Sequence, residues 1–301
     1  MKESSVPFFD RNTLLHLRIP FSYFLFPTFV FAVSQASSID WANTLVIFIS
    51  LHFFIYPGSH AYNSYMDKDK GSIGGLKHPP PVTKNLFYVS IIADGIGLSL
   101  CFLINWQMFV MMLIYVGVSK AYSWNFIRLK KYAILGWLVV MLFQGGYTFL
   151  LVNIAAENIF TAQWFSGKTF ESIILASLLI GGFYPLTQIY QHEEDFNRGD
   201  LTISYKLGIS GTFIFSGLLF LISCAFAWNY FDSYYNTTHF IVFICSIIPI
   251  MSYYCYWFIQ ALQNKIHVSY DHAMRLNFIS STCMIICFTI LFFLNTNNPL
   301  Q

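Results

Sequence analysis

Nine apolar runs, each close to the length of a bilayer crossing, leave this chain few folds to adopt. They cover approximately 14–35, 41–60, 86–104, 106–122, 133–155, 172–190, 209–229, 239–262 and 274–295. In hydrocarbon a backbone N–H or C=O finds no water, so each run must satisfy its own hydrogen bonds as a helix. Only Asn105-Trp106-Gln107 separates the third run from the fourth, which predicts a tight helical hairpin. Charged residues make up 10% of the 301, against about 25% in a soluble domain. The expected fold is therefore an all-α integral membrane protein with nine transmembrane helices, a single domain over 1–301. The stretch from Lys2 to Asn12 is polar and lacks a short apolar core with a cleavage site, so the first run reads as a retained helix. The six cysteines fall in apolar stretches and form no Cys-x-x-Cys pair, which assigns them to packing.

The basic residues orient the bundle. With nine crossings, fifteen of the sixteen Lys and Arg fall on one side, and only Lys168 falls on the other. The excess of positive charge in cytoplasmic loops then puts the N-terminus and the loops after crossings two, four, six and eight in the cytoplasm. The C-terminus falls on the opposite side. The expected location is the inner membrane of a bacterial cell. A net charge of +2, spread over several loops, gives no basis for a nucleic-acid partner.

Two polar islands interrupt this pattern, His60–Asp69 and Gln191–Asp200. Carboxylates at the ends of membrane helices are costly unless a cation binds them. Asn63 and Asp67 are four residues apart and share a face on a helix. Gln191 and Asp195 repeat the spacing, with Glu194 between them. Mg²⁺ takes a few protein oxygens and keeps positions for water and phosphate, so two such islands on one membrane face suggest chemistry on a phosphorylated substrate. Solvated loop acids or helix caps would give the same residues. The middle cytoplasmic loop adds Arg128, Lys130 and Lys131, suited to phosphate oxygens or placed there by the positive-inside bias alone. The loop Gly71–Pro81 reads either as a partial lid or as an ordinary connector.

In this arrangement the chain resembles the UbiA superfamily of intramembrane prenyltransferases, over nearly its whole length. Asn63-Ser64-Tyr65-Met66-Asp67 is similar to that family's first aspartate-rich motif. Gln191-His192-Glu193-Glu194-Asp195, continuing through Gly199-Asp200-Leu201-Thr202 to Leu207-Gly208, is similar to the second. Tyr122-Ser123, then Arg128-Leu129-Lys130 and Leu135-Gly136, match the segment between them. Ser64, Gly71 and Gln191 stand where the family usually carries Asp. The resemblance implies a helical bundle with a cytoplasmic-facing cavity. It implies Mg²⁺ on Asn63, Asp67, Glu194 and Asp195, with Asn63, Asp67, Gln191 and Asp195 as the catalytic set. It implies a prenyl diphosphate donor contacted by Arg18, Tyr122, Arg128, Lys130 and Lys206. A lipophilic acceptor, commonly aromatic, would take the isoprenyl group from an allylic carbocation.

Other polar residues within the runs carry less. Asp94, beside Gly95 and Gly97, is either functional or bonded to a neighbouring helix. Gln144 and Gln188 line a pocket or bridge helices, and His192 abuts the second island, either as a candidate for removing a proton from the acceptor or without a part in the chemistry. His16, His52 and His239 are isolated and read as structural or interfacial. Two rival functions fit the same motifs. A UbiA-like terpene cyclase would ionise the same diphosphate without an acceptor. A transporter or lipid-binding protein would use the acids to hold a cation.

Overall fold

The computed structural model describes residues 10–160 and 167–296, and Lys2 lies outside them. Eight helical stretches among the described residues are long and apolar enough to cross a membrane, one fewer than the nine expected. The fourth expected crossing, 106–122, does form a helix, Trp106–Ser123. It falls short on apolarity because Gln107, Lys120 and two tyrosines interrupt a helix of 18 residues. The chain clusters into two compact units, Met1–Ser22 with Val46–Arg128, and Tyr23–Leu45 with Leu129–Gln301.

The first unit is built on α1 (Arg11–Leu17), α4 (Tyr56–Asp67), α5 (Asn85–Ile104) and α6 (Trp106–Ser123). Asp10 caps α1 by accepting from the Thr13 N–H at 2.7 Å, and the Thr13 hydroxyl, with that N–H, holds its carboxyl below the usual carboxylate value. Asn105 is extended, and its side chain accepts from Met108 N–H at 2.8 Å, so one capping residue turns α5 into α6. The hairpin expected from Asn105-Trp106-Gln107 is present. A π-helical turn, Ser50–Ile55, joins α3 (Trp41–Ile49) to α4 and is anchored where the Ser50 hydroxyl donates to the Gly97 carbonyl at 2.8 Å. Leu17, Ala61, Leu86 and Val89 form a small core shared by α1, α4 and α5.

The second unit holds α2 (Phe26–Gln35), α7 (Ala133–Val140), α8 (Thr148–Glu157), α9 (Gly167–Gln188), α10 (His192–Arg198), α11 (Ile203–Tyr234), α12 (Thr237–Gln263) and α13 (Tyr270–Thr296). A π-helical turn, Met141–Tyr147, joins α7 to α8. Its Gly145 lies so close to α9 that an added Cβ would sit 2.7 Å from the Ala176 carbonyl oxygen, so only glycine permits this approach. Phe31 of α2 stacks on Phe288 of α13 at 4.5 Å and tilts against Phe149 of α8 at 5.0 Å. A buried polar network ties helix ends together. Tyr230 and Tyr235 both donate to the Gln35 side-chain oxygen, at 2.6 and 2.7 Å. Asn295 donates to the Ser34 carbonyl at 2.6 Å, and His239 lies between Asn236 and Asn295, 2.9 Å from each.

Candidate active site

Asn63 and Asp67 both lie on α4, and Asp67 is its last residue. Lys68 closes the helix in a left-handed conformation, with its N–H on the Ser64 carbonyl at 2.9 Å. Asp69 therefore falls beyond the helix, off the face that Asn63 and Asp67 share. The Asn63 amide donates to the Ser123 hydroxyl at 2.8 Å, which turns its carbonyl oxygen away from that contact as an acceptor. Asp67 Oδ1 accepts from Arg128 Nη2 at 3.1 Å, and Arg128 Nη1 donates to Asn125 at 3.1 Å. Arg128 itself is left-handed, at φ 46°, and its N–H closes a turn on the Trp124 carbonyl at 2.7 Å. That conformation is uncommon for a residue with a Cβ and sets where the guanidinium points. Tyr122 is half-buried near the end of α6, immediately before Ser123.

Arg18 is placed differently from the expectation. Its guanidinium donates to the backbone carbonyls of Gly74 at 2.9 Å and His60 at 3.0 Å, and lies over the Phe21 ring. Two of its donor nitrogens thus serve the backbone, where a phosphate contact was expected. The reason is the Gly71–Pro81 loop, which folds back over α1. His16 contacts the Pro80 carbonyl at 2.8 Å, and Ile73, buried, bridges to Leu76. The loop is strapped near both ends.

The second motif also departs from a simple helical face. Gln191 belongs to the 3₁₀ turn Ile189–Gln191 and is the N-cap of α10, at φ −104°, ψ 3°. The sixth expected crossing therefore ends at Gln188, and the acids sit on a separate short helix. Glu193, Glu194 and Asp195 occupy its first turn, where the helix dipole favours negative charge. Gly199, at φ 79°, ends α10. Asp195 is 9% exposed, and its carboxylate accepts from the Thr202 hydroxyl at 3.5 Å. Asp200 is buried, and its N–H donates to the Asp195 carbonyl at 2.9 Å.

Leu201 and Thr202 pair in parallel with Tyr132 and Ala133. This short bridge brings the end of the middle loop to the second motif. Lys130 is buried in the turn Leu129–Lys131. Gly136 packs on that turn so closely that a Cβ would lie 3.0 Å from the Lys130 Cα, which accounts for the Leu135-Gly136 pair. Gly208 has φ 68°, ψ −179°, a region open essentially to glycine only, and kinks α11. Thr212 donates to the carbonyl of Gly208 at 2.6 Å, Ser204 lies 3.0 Å from Thr212, and His192 Nε2 lies 2.7 Å from Ser204. All three contacts are satisfied when Ser204 donates to Thr212 and His192 Nε2–H donates to Ser204, so Nδ1 is the ring nitrogen outside this chain of bonds. Lys206 is exposed on the first turn of α11.

A cavity of about 70 Å³ opens among α2, α9 and α13, with Phe31, Phe183, Met284 and Phe288 in its wall. Ser280 also lines it, buried and with its hydroxyl unpartnered. Within each unit alone, no three His, Cys, Asp or Glu side chains of the described residues gather closely enough to hold a metal by themselves. Mg²⁺ accepts amide and carboxylate oxygens alike, and Asn63 and Asp67 offer one of each on α4. Ser123, part of the Tyr122-Ser123 match, supports the first motif, whereas Ser204 and Thr212 support the second and carry no spacing signal that sequence reading could use.

The helices and their polar ends define a multi-pass integral membrane protein. The chain belongs to the UbiA prenyltransferase family, whose model matches residues 24–281. No curated protein sequence matches it. Among solved structures, a UbiA homolog from Archaeoglobus fulgidus bound to GPP and Mg²⁺ is similar, with a TM-score of 0.67 at 18% identity, covering 93% of this chain and 99% of that one. A UbiA homolog from Aeropyrum pernix K1 gives 0.65 at 14% identity, over 96% and 100%. A digeranylgeranylglyceryl phosphate synthase gives 0.61 at 18% identity, over 94% and 98%. At these identities the likeness is one of fold.

Proposed function

We propose that this protein is an intramembrane, Mg²⁺-dependent prenyltransferase that moves an isoprenyl group from a prenyl diphosphate to a lipophilic, aromatic acceptor. The observation that carries the reading is the end of α4. There a carboxylate (Asp67), an amide oxygen free of the Ser123 contact (Asn63) and a guanidinium (Arg128) come together. Oxygen ligands for a hard cation beside a fork for phosphate suit a metal–diphosphate, which supplies the remaining ligands itself. UbiA homologs of the same fold bound to GPP or DMAPP with Mg²⁺ support that donor class.

Asn63 and Asp67 of α4 would hold Mg²⁺ through oxygen, and Glu194 and Asp195 of α10, with Gln191 at its N-cap, would offer oxygens of the same kind. When bound, the metal neutralises diphosphate charge and improves it as a leaving group. Arg128, Lys130, Tyr122 and Lys206 bind phosphate oxygens, and stabilise the negative charge that grows on the leaving group. Arg18 holds the strapped loop instead. The cavity among α2, α9 and α13 suits an apolar chain. His192, presenting Nδ1, takes the proton released by the acceptor. The N-terminus and both motifs face the cytoplasm, on the reading that α6 returns beside α5 as a ninth crossing, and the C-terminus lies opposite.

The test is an assay of the detergent-purified protein with labelled prenyl diphosphates, a panel of lipophilic acceptors, and Mg²⁺ or EDTA. The reading expects Mg²⁺-dependent prenylated acceptor, abolished in Asp67→Ala and in Asp195→Ala. Cyclic hydrocarbon formed from donor alone would instead identify a cyclase. Full activity in both variants would remove the metal site.

A further inference from the structure

Between α4 and the hairpin of α5 and α6 lies a charged cluster that the reading above does not use. Asp94, in the middle of α5, is 4% exposed, and Lys120 of α6 reaches it at 2.5 Å. A charge inside a membrane helix is costly unless paired, and this pair answers the question the sequence left open for Asp94. Lys120 does more than neutralise it. Its ammonium lies 4.4 Å from the Tyr62 ring centroid, a cation–π distance, and 3.4 Å from the Gly58 carbonyl. Both of those groups belong to α4. An added Cβ at Gly58 would lie 2.7 Å from Asp94 Oδ1, so α4 can approach the pair only through a glycine.

The contacts along α4 and α6 then form a ladder. Ser59 meets Ser119 at 2.8 Å, Tyr62 meets Lys120, and Asn63 meets Ser123 at 2.8 Å. One turn further, Asp67 meets Arg128. The charged rung sits immediately before the two residues proposed to hold metal. Rotating α4 about its axis would break this rung and swing Asn63 and Asp67 together, because residues four apart share its face.

We propose that Lys120, held by Asp94, is a positioning residue that fixes the rotation of α4 and so aims Asn63 and Asp67. The catalytic arm of this inference rests on the prenyltransferase reading, and the structural arm does not.

The experiment replaces the pair by a neutral one of similar shape, Asp94→Asn with Lys120→Met, in the full chain in detergent. A buried ion pair exchanged as a whole for a neutral pair keeps its fold in many proteins. Tyr62→Leu, which leaves the ion pair intact, serves as the second variant, and Lys120→Arg as the conservative one. Hydrogen exchange by mass spectrometry reads peptides spanning 60–67. The expected result is exchange faster by about tenfold in the double variant and about threefold in Tyr62→Leu, and unchanged in Lys120→Arg. The Mg²⁺ concentration for half-maximal prenyl transfer should rise about tenfold in the double variant, with kcat at saturating Mg²⁺ within twofold. Unchanged exchange in both Tyr62→Leu and the double variant overturns the proposal, whatever the activity. Faster exchange with an unaltered Mg²⁺ requirement also overturns it, since the rung would then hold the helix without aiming the ligands. Faster exchange in a protein that transfers no prenyl group from any donor leaves the positioning role standing and removes the function proposed above.

Discussion

Arg128 donates to the Asp67 carboxylate at 3.1 Å, with the two side chains 11% and 3% exposed. Two residues to which the sequence gives separate tasks, phosphate for one and metal for the other, thus hold each other. A charge-assisted bond of this kind contributes about 1.5–3 kcal/mol. Arg128→Ala should raise the KM for prenyl diphosphate by roughly ten- to a hundredfold, consistent with that energy. Arg128→Lys should recover only part of it, because an ammonium lacks the fork. Steady-state kinetics at saturating Mg²⁺ check both.

Ser123 acts on the site through one bond to the Asn63 amide. Ser123→Ala should leave folding intact and lower kcat/KM by about fivefold, the equivalent of a hydrogen bond worth ~1 kcal/mol. Asn63→Ala removes a proposed ligand, and should cost about a hundredfold, in the range seen when one stabilising group is deleted from an active site. A comparison of the two variants separates aiming the amide from supplying it.

Gly208 carries a backbone conformation that a Cβ disfavours, while the space around it is open, with nothing within 4 Å of an added Cβ. Any loss in Gly208→Ala therefore comes from the backbone. The expected destabilisation is about 1–3 kcal/mol, read as a lower melting temperature in detergent. Because Thr212 bonds the Gly208 carbonyl, the contact between His192 and Ser204 should loosen with it.

Arg18→Gln removes the bonds to Gly74 and His60 while keeping a polar side chain. The loop 71–81 should then be cut by a protease at its glycines, where the unsubstituted protein resists. A phosphate-binding role would leave the cleavage pattern unchanged and raise the donor KM instead.

The sequence made the broad architecture and the placement of Asn63 and Asp67 on one helix legible, because apolar length and four-residue spacing are local properties. Gln191 misled for a related reason. Its spacing to Asp195 fits a continuous helix, but the chain passes through a 3₁₀ turn after Gln188, and no proline or glycine at the break announces it. The count of crossings differed at Trp106–Ser123, where Lys120 lowers the apolarity of a helix that is nonetheless formed. Arg18 and Lys120 show the limit most directly. Each is one basic residue among many along the chain, and its role comes from partners tens of residues away, Gly74 and His60 for one, Asp94 and Tyr62 for the other. Spacing in one dimension carries no trace of those meetings.

The stacking of Phe31 on Phe288 has a consequence for biogenesis. These rings lie 257 positions apart, so α2 enters the bilayer long before its partner α13 has been synthesised. At translation rates of about 5–20 residues per second, the delay is on the order of ten to fifty seconds. Throughout that interval the Ser34 carbonyl and the Phe31 ring must be shielded by lipid, by the insertion machinery or by α8, which emerges sooner. Ribosomal pausing late in the message would prolong that exposure, and premature termination before Asn295 would leave the Ser34 carbonyl without its closing bond.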